Sequence, residues 1–219
     1  MFSASVWTML LEGIRDTLYM TIVSVIAGYV LGLPMGILLT VTGKNGLKPN
    51  AFVYKIFDVF CNIVRSIPFL ILLILLIPFT RTIVGKSYGS TATIVPLVVC
   101  AAPYIARMVE SSLNEVDPGV IEAAKSMGAS NFQIIFRVLL VEARTSLIVG
   151  ATITSGNILG YSAMSGTVGG GGLGDIAVRY GYYRWQTDIM VITVILLIIL
   201  FQIIQNIGMK VASNLDKRK

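Results

Sequence analysis

The stretch EAAKSMGASNFQIIFRVLLVEAR, residues 122–144, is polar and charged, yet it lies between long apolar segments. Just upstream, Asp117 is a good helix N-cap and Pro118 suits the first helical position. Glu122 places negative charge early in that helix, where the backbone dipole favours it. Ala123 and Ala124 are strong helix formers with almost no bulk. Gly128 can take the left-handed conformation that ends a helix. Ser130 followed by Gln133 reads as a capping box for a second helix, which carries Ile134, Ile135, Val138 and Leu139. A first helix of about ten residues is too short to be stable alone in water, so something must hold it. It is either a knob for a groove on another protein or a surface helix lying along a membrane interface.

Outward from this hairpin, the chain reads as an integral membrane protein. Of its 219 residues, 55% are hydrophobic and 13% charged, against about 25% charged in an ordinary soluble domain. A spanning helix needs roughly 20 apolar residues, and the sequence offers five such segments in one transmembrane domain, 1–219: near 18–39, 57–79, 87–106, 146–166 and 189–209. The expected architecture is therefore all-α, with five transmembrane helices and the loop 107–144 between the third and fourth. No basic n-region or small-residue cleavage site marks the N-terminus, so the first apolar segment is expected to remain as a span.

An odd number of spans puts the termini on opposite sides. With the C-terminus inside, twelve Lys and Arg fall in inner segments and five in outer ones. The excess of inner positive charge predicts an outside N-terminus, a cytoplasmic C-terminus and a cytoplasmic 107–144 loop. Arg65 is expected near a helix end, where it can snorkel to the interface.

Charge and composition exclude several functions. The net charge of +6 is spread between apolar spans and forms no basic face interleaved with aromatics, so nucleic acid is not an expected partner. The absence of histidine removes histidine-based acid–base catalysis and histidine metal ligands. Cys61 and Cys100 have no metal or disulfide spacing and read as packing residues. Gly169, Gly171 and Gly174 fit a G-x-G-x-x-G pattern, but a membrane helix precedes them where a dinucleotide fold needs a strand; an irregular extracellular loop is expected there. TRTIVGKS, 80–87, has Thr80 where a phosphate-binding loop needs glycine, so no ATP site is expected.

Packing features concentrate in two spans. Gly28, Gly32 and Gly36 share one helix face and allow another backbone to approach; Gly156 and Gly160 form a second such pair. Pro34, Pro68, Pro78, Pro96 and Pro103 are expected to kink their helices. The fourth span is rich in Gly, Ser and Thr, and its Asn157 should face protein or a water-filled path rather than lipid.

The hairpin also resembles a known family. Glu122-Ala123-Ala124, three residues, Gly128, nine residues and Val138-x-Leu140 resemble the EAA loop of ABC importer permeases, with Val138 for the family's isoleucine and Val141 where the family has proline. RSIPFLILLILLIPFTR (65–81), IVPLVVCAAPYIARMVE (94–110) and GYSAMSGTVGGGGLGDIAVRYGY (160–182) look like the methionine-uptake permeases of the type I importer class. The resemblance implies a bacterial cell-membrane permease subunit that is not itself an enzyme. It implies pairing with a second copy, two ATP-binding cassette ATPase subunits that carry the ATP and Mg, and an extracytoplasmic binding protein that delivers methionine. No cofactor is expected on this chain.

The resemblance also implies a coupling helix that docks on the ATPase through Pro118, Ile121, Glu122, Ala123, Ala124, Lys125, Ser126, Met127, Gly128 and Ala129. Asn157, Tyr161 and Met164 are candidates for the translocation path or its gate, ordinary packing being the alternative for Met164. Another small amino acid or a short peptide would suit the same machine. A stand-alone channel or secondary carrier predicts intramembrane carboxylates, whereas Asp58 and Asp188 sit at expected span ends.

Overall fold

The computed structural model describes residues 4–215, and all regular structure among them is helical. Helix α1 runs over Ala4–Thr42, α2 over Ala51–Ser66, α3 over Phe69–Leu75, α4 over Ile77–Val84 and α5 over Ser90–Asn114. Helix α6 spans Pro118–Ser126. Helix α7 covers 131–142, with a π turn at Ile134–Leu139. Helix α8 spans Arg144–Ser165, α9 covers 172–182 and α10 spans Thr187–Leu215. Among the described residues, four helices are long and apolar enough to cross a membrane, and a fifth span results if the bent pair α2–α3 is counted as one.

The bend has a local cause. Proline disfavours helical geometry in the residue before it, and Ile67, before Pro68, is extended at φ −84° and ψ 124°. Helices α2 and α3 consequently meet at 102°. The stretch expected as one span over 57–79 is thus divided among α2, α3 and α4. Pro34, Pro96 and Pro103, also expected to kink, lie inside the continuous helices α1 and α5.

Helices α1 and α5 lie side by side and parallel. Gly28 faces Ala101, Gly32 faces Ala102 and Ile105, and Gly36 faces Ala106 and Val109. A Cβ on Gly32 or on Gly36 would come within 2.6 Å of an α5 carbonyl oxygen, so only glycine allows this approach. Helix α8 runs the other way: Gly156 packs on Phe201 and Thr152 on Gly208, which makes α8 and α10 antiparallel. The chain therefore alternates direction, and the α6–α7 hairpin lies at the same end as the C-terminal end of α10.

At the opposite end, the glycine run is a built turn rather than the irregular loop expected from its composition. The Gly89 N–H donates to the Gly169 carbonyl at 2.9 Å, and the Leu173 N–H donates to Thr17 Oγ1 at 2.9 Å. A 3-10 turn at Gly166–Val168 then leads the chain back into α9. Gly166 and Gly174 pass so close to the facing backbone that a Cβ on either would overlap it. Leu10, Leu173, Ile176 and Ile189 close an apolar cluster beneath this turn.

Candidate functional site

The hairpin is built by its caps. The Asp117 carboxylate accepts from the Gly119 N–H at 2.7 Å and fixes the start of α6. Gly128 has φ +78°, the left-handed geometry that ends it. The Ala129 N–H reaches back to the Ala124 carbonyl at 3.1 Å. Ser130 and Gln133 exchange the two bonds of a capping box, at 2.8 and 3.3 Å. Helix α7 then continues through Val141 to Glu142, the π turn absorbing one residue of register.

Helix α6 has two faces. Ala124 is buried at 5% exposure and packs with Val116, Ile134 and Leu139, with Ile121 and Ala129 partly buried against the same cluster. Of the residues expected on the docking surface, Ala124 is the one buried within its own chain. Pro118, Glu122, Ala123, Lys125, Ser126, Met127 and Gly128 are exposed. Met127 stands out at 81% exposure. A cleft of about 1300 Å³ opens beside this face, between α6 and the 43–50 turn, with Leu47, Tyr54, Leu113, Ile121 and Lys125 among its walls.

A second face lies on α8. Ile153, Asn157, Gly160 and Met164 follow at helical spacing and are all exposed. Asn157 makes no hydrogen bond among the described residues. A Cβ on Gly160 would meet nothing within 4 Å, so Gly160 is not a packing glycine inside this chain, unlike Gly156. Tyr161, half-buried beside this stripe, stacks on Phe69 of α3 with centroids 4.7 Å apart and planes 13° from parallel.

One group of residues was not anticipated. Arg107 of α5 donates to Asp58 and Asn62 of α2 and to Glu110 one turn along its own helix. Tyr54 donates to Glu110 at 3.1 Å. The sequence carried a signal for it: Asp58 and Asn62 at i,i+4, and Arg107 and Glu110 at i,i+3, place polar stripes on otherwise apolar helices. Arg65, expected at a helix end, lies in the last turn of α2 with its guanidinium 5.8 Å from the Tyr104 ring centre. Among the described residues no cluster of Cys, Asp and Glu is placed to hold a metal ion.

Comparison with known proteins agrees with this geometry. Residues 28–212 match the family described as binding-protein-dependent transport system inner membrane component. The chain is 48% identical over 210 residues to the probable D-methionine transport system permease protein MetI of Vibrio cholerae, covering 96% of this chain and 93% of that protein. It is 52% identical over 158 residues to the D-methionine transport system permease protein MetI of Escherichia coli K12, covering 72% and 73%. Its fold superposes on a chain of the inward-facing MetNI methionine ABC transporter with a TM-score of 0.97 at 47% identity, over 99% of this chain and 100% of that one.

Proposed function

Because the chain belongs to the family of binding-protein-dependent transport system inner membrane components, we propose that it forms the membrane path of an ATP-driven methionine importer. It is a transport subunit, and ATP hydrolysis belongs to a separate ATPase. One observation carries the mechanism: α6 is capped at both ends, anchored by Ala124 and Ile121, and exposed on its outer face. A short helix fixed in this way is a handle that another protein can grip.

Two copies of the chain pair across the exposed α8 stripe, where Asn157, Gly160 and Met164 of each line a path wide enough for an amino acid. Five spans are few to enclose such a path alone. Each copy seats the outer face of α6, from Pro118 to Gly128, on one ATPase subunit. Closure of the ATPase pair on ATP and Mg draws the two handles together and rocks the bundles, opening the path outward. A binding protein on the outer side then releases methionine into it, and hydrolysis resets the path inward. The inner-membrane chain has its N-terminus outside and its C-terminus with α6 in the cytoplasm, as its distribution of Lys and Arg favours. The likeness to MetI over nearly the whole length supports methionine as the substrate.

The test is uptake of labelled methionine by cells lacking this chain, with and without its restoration. Restored uptake that unlabelled methionine suppresses and other amino acids do not is the expected result. Full uptake in the absence of any ATPase partner would refute the reading.

A further inference from the structure

We propose that Arg107 is the positioning residue that carries the motion of the docking helix into α2 and α3, and through them to the path at Tyr161. The inference rests on the permease reading above.

Little of α2 is buried. Cys61 is its one buried residue, and Phe52, Ile56, Phe60 and Ile63 point away from the chain. What ties α2 to α5 is a polar clasp. One Arg107 nitrogen donates to the Asp58 carboxylate, to the Asp58 backbone carbonyl at 3.3 Å and to Asn62 Oδ1 at 3.0 Å, all on α2. The other terminal nitrogen donates to Glu110 Oε2 at 2.7 Å. Asn62 Nδ2 donates to Asp58 at 3.2 Å, and Tyr54 holds the second Glu110 oxygen. The Arg107 side chain is 16% exposed, and its buried Nε has no hydrogen-bond partner among the described residues. A planar guanidinium can serve both helices at once, whereas an ammonium is a point charge on a flexible stem. Leu39 of α1, Cys61 of α2 and Ala106 of α5 form one small buried apolar cluster beside the clasp.

The clasp lies between the handle and the path. On one side, α5 passes to α6 through 115–117, and Val116 and Ala124 share an apolar cluster, so α6 does not swing free of the end of α5. On the other, α2 turns at Pro68 into α3, whose Phe69 stacks on Tyr161 beside the exposed α8 stripe. Contiguity alone does not establish coupling. The prediction is therefore an energetic one: Arg107 and Tyr161 act on the same step.

The experiment uses the complex with its ATPase in liposomes and reads methionine transported per ATP hydrolysed. Arg107→Gln lowers that ratio about tenfold, within the ordinary range of coupling energies, while assembly with the ATPase is kept. Arg107→Lys retains part of it. Tyr161→Ala lowers the ratio too, and adding it to Arg107→Gln produces little further loss, the non-additivity of residues that work together. If Arg107→Gln does not assemble, Asp58→Asn, which preserves size and an acceptor oxygen, is read in the same way. An unchanged ratio in variants that assemble, or losses that multiply, overturns the inference and leaves the permease reading intact. A wild-type complex that hydrolyses ATP without uptake overturns the permease reading itself.

Discussion

Gly36 and Ala106 approach so closely that a Cβ on the glycine would lie 2.6 Å from the Ala106 carbonyl oxygen. The same closeness recurs one turn back, at Gly32 and Ala102. In lipid, where apolar surface gains little from leaving its solvent, such backbone approach is what holds two helices together. Helices α1 and α5 form one body, and α2 and α8 pack against it.

Gly36→Ala should destabilise the purified chain by roughly 1–3 kcal/mol, the usual cost of overpacking a close contact. Gly160→Ala, at a position open on that side, should leave stability unchanged. Thermal unfolding in detergent compares the two, and equal losses would contradict the packing described.

At Gly128 the cost is conformational rather than steric, because a Cβ there meets nothing within 4 Å. Holding a residue with a side chain at φ +78° costs roughly 1–2 kcal/mol. Gly128→Asn should be tolerated best, Gly128→Ala less well, and Gly128→Val worst, since asparagine adopts this geometry more readily than β-branched residues do. Retention of the ATPase during purification reports the order.

On the proposed reading, the two faces of α6 separate docking from folding. Met127→Glu should weaken capture of the ATPase while the chain keeps its thermal stability, since Met127 touches little of its own protein. Ala124→Asp should instead lower the stability of the chain itself by burying an unpaired carboxylate. The reverse pattern would place the docking surface elsewhere.

On the α8 stripe, Met164→Ala should raise ATP hydrolysis without transport, or leak of substrate, if that flexible side chain closes the path. Asn157→Leu should lower transport with assembly unchanged, because the stripe would lose its exposed amide. Unaltered transport in both variants would remove this face from the path.

Much of the fold was legible because membrane helices announce themselves by length. The hairpin was legible because caps are local: Asp117, Gly128, Ser130 and Gln133 act within a few residues of themselves. The break at Pro68 was harder to read, since Pro34, Pro96 and Pro103 stay within intact helices and nothing local separates them from Pro68. The role of Ala124 was hidden for another reason. A small residue suits both a partner's groove and its own chain's core, and only the position of α7 decides between them. The glycine run misled because flexible composition says nothing of close approach; Gly166 and Gly174 are small so that a tight buried turn can form. The Arg107 clasp joins residues 49 apart in sequence; each helix shows its own polar pair one turn apart, but no local pattern says that the two pairs meet.

The central claim is that a separate ATPase drives methionine through a path formed by this chain. It is tested most directly by placing the chain and its ATPase in sealed vesicles with the nucleotide sites facing inward, ATP and Mg enclosed, and labelled methionine with its binding protein outside. Accumulation that needs ATP and is abolished by Glu122→Lys on α6 is the predicted result. Methionine that equilibrates equally well without ATP, or with the ATPase left out, would contradict it.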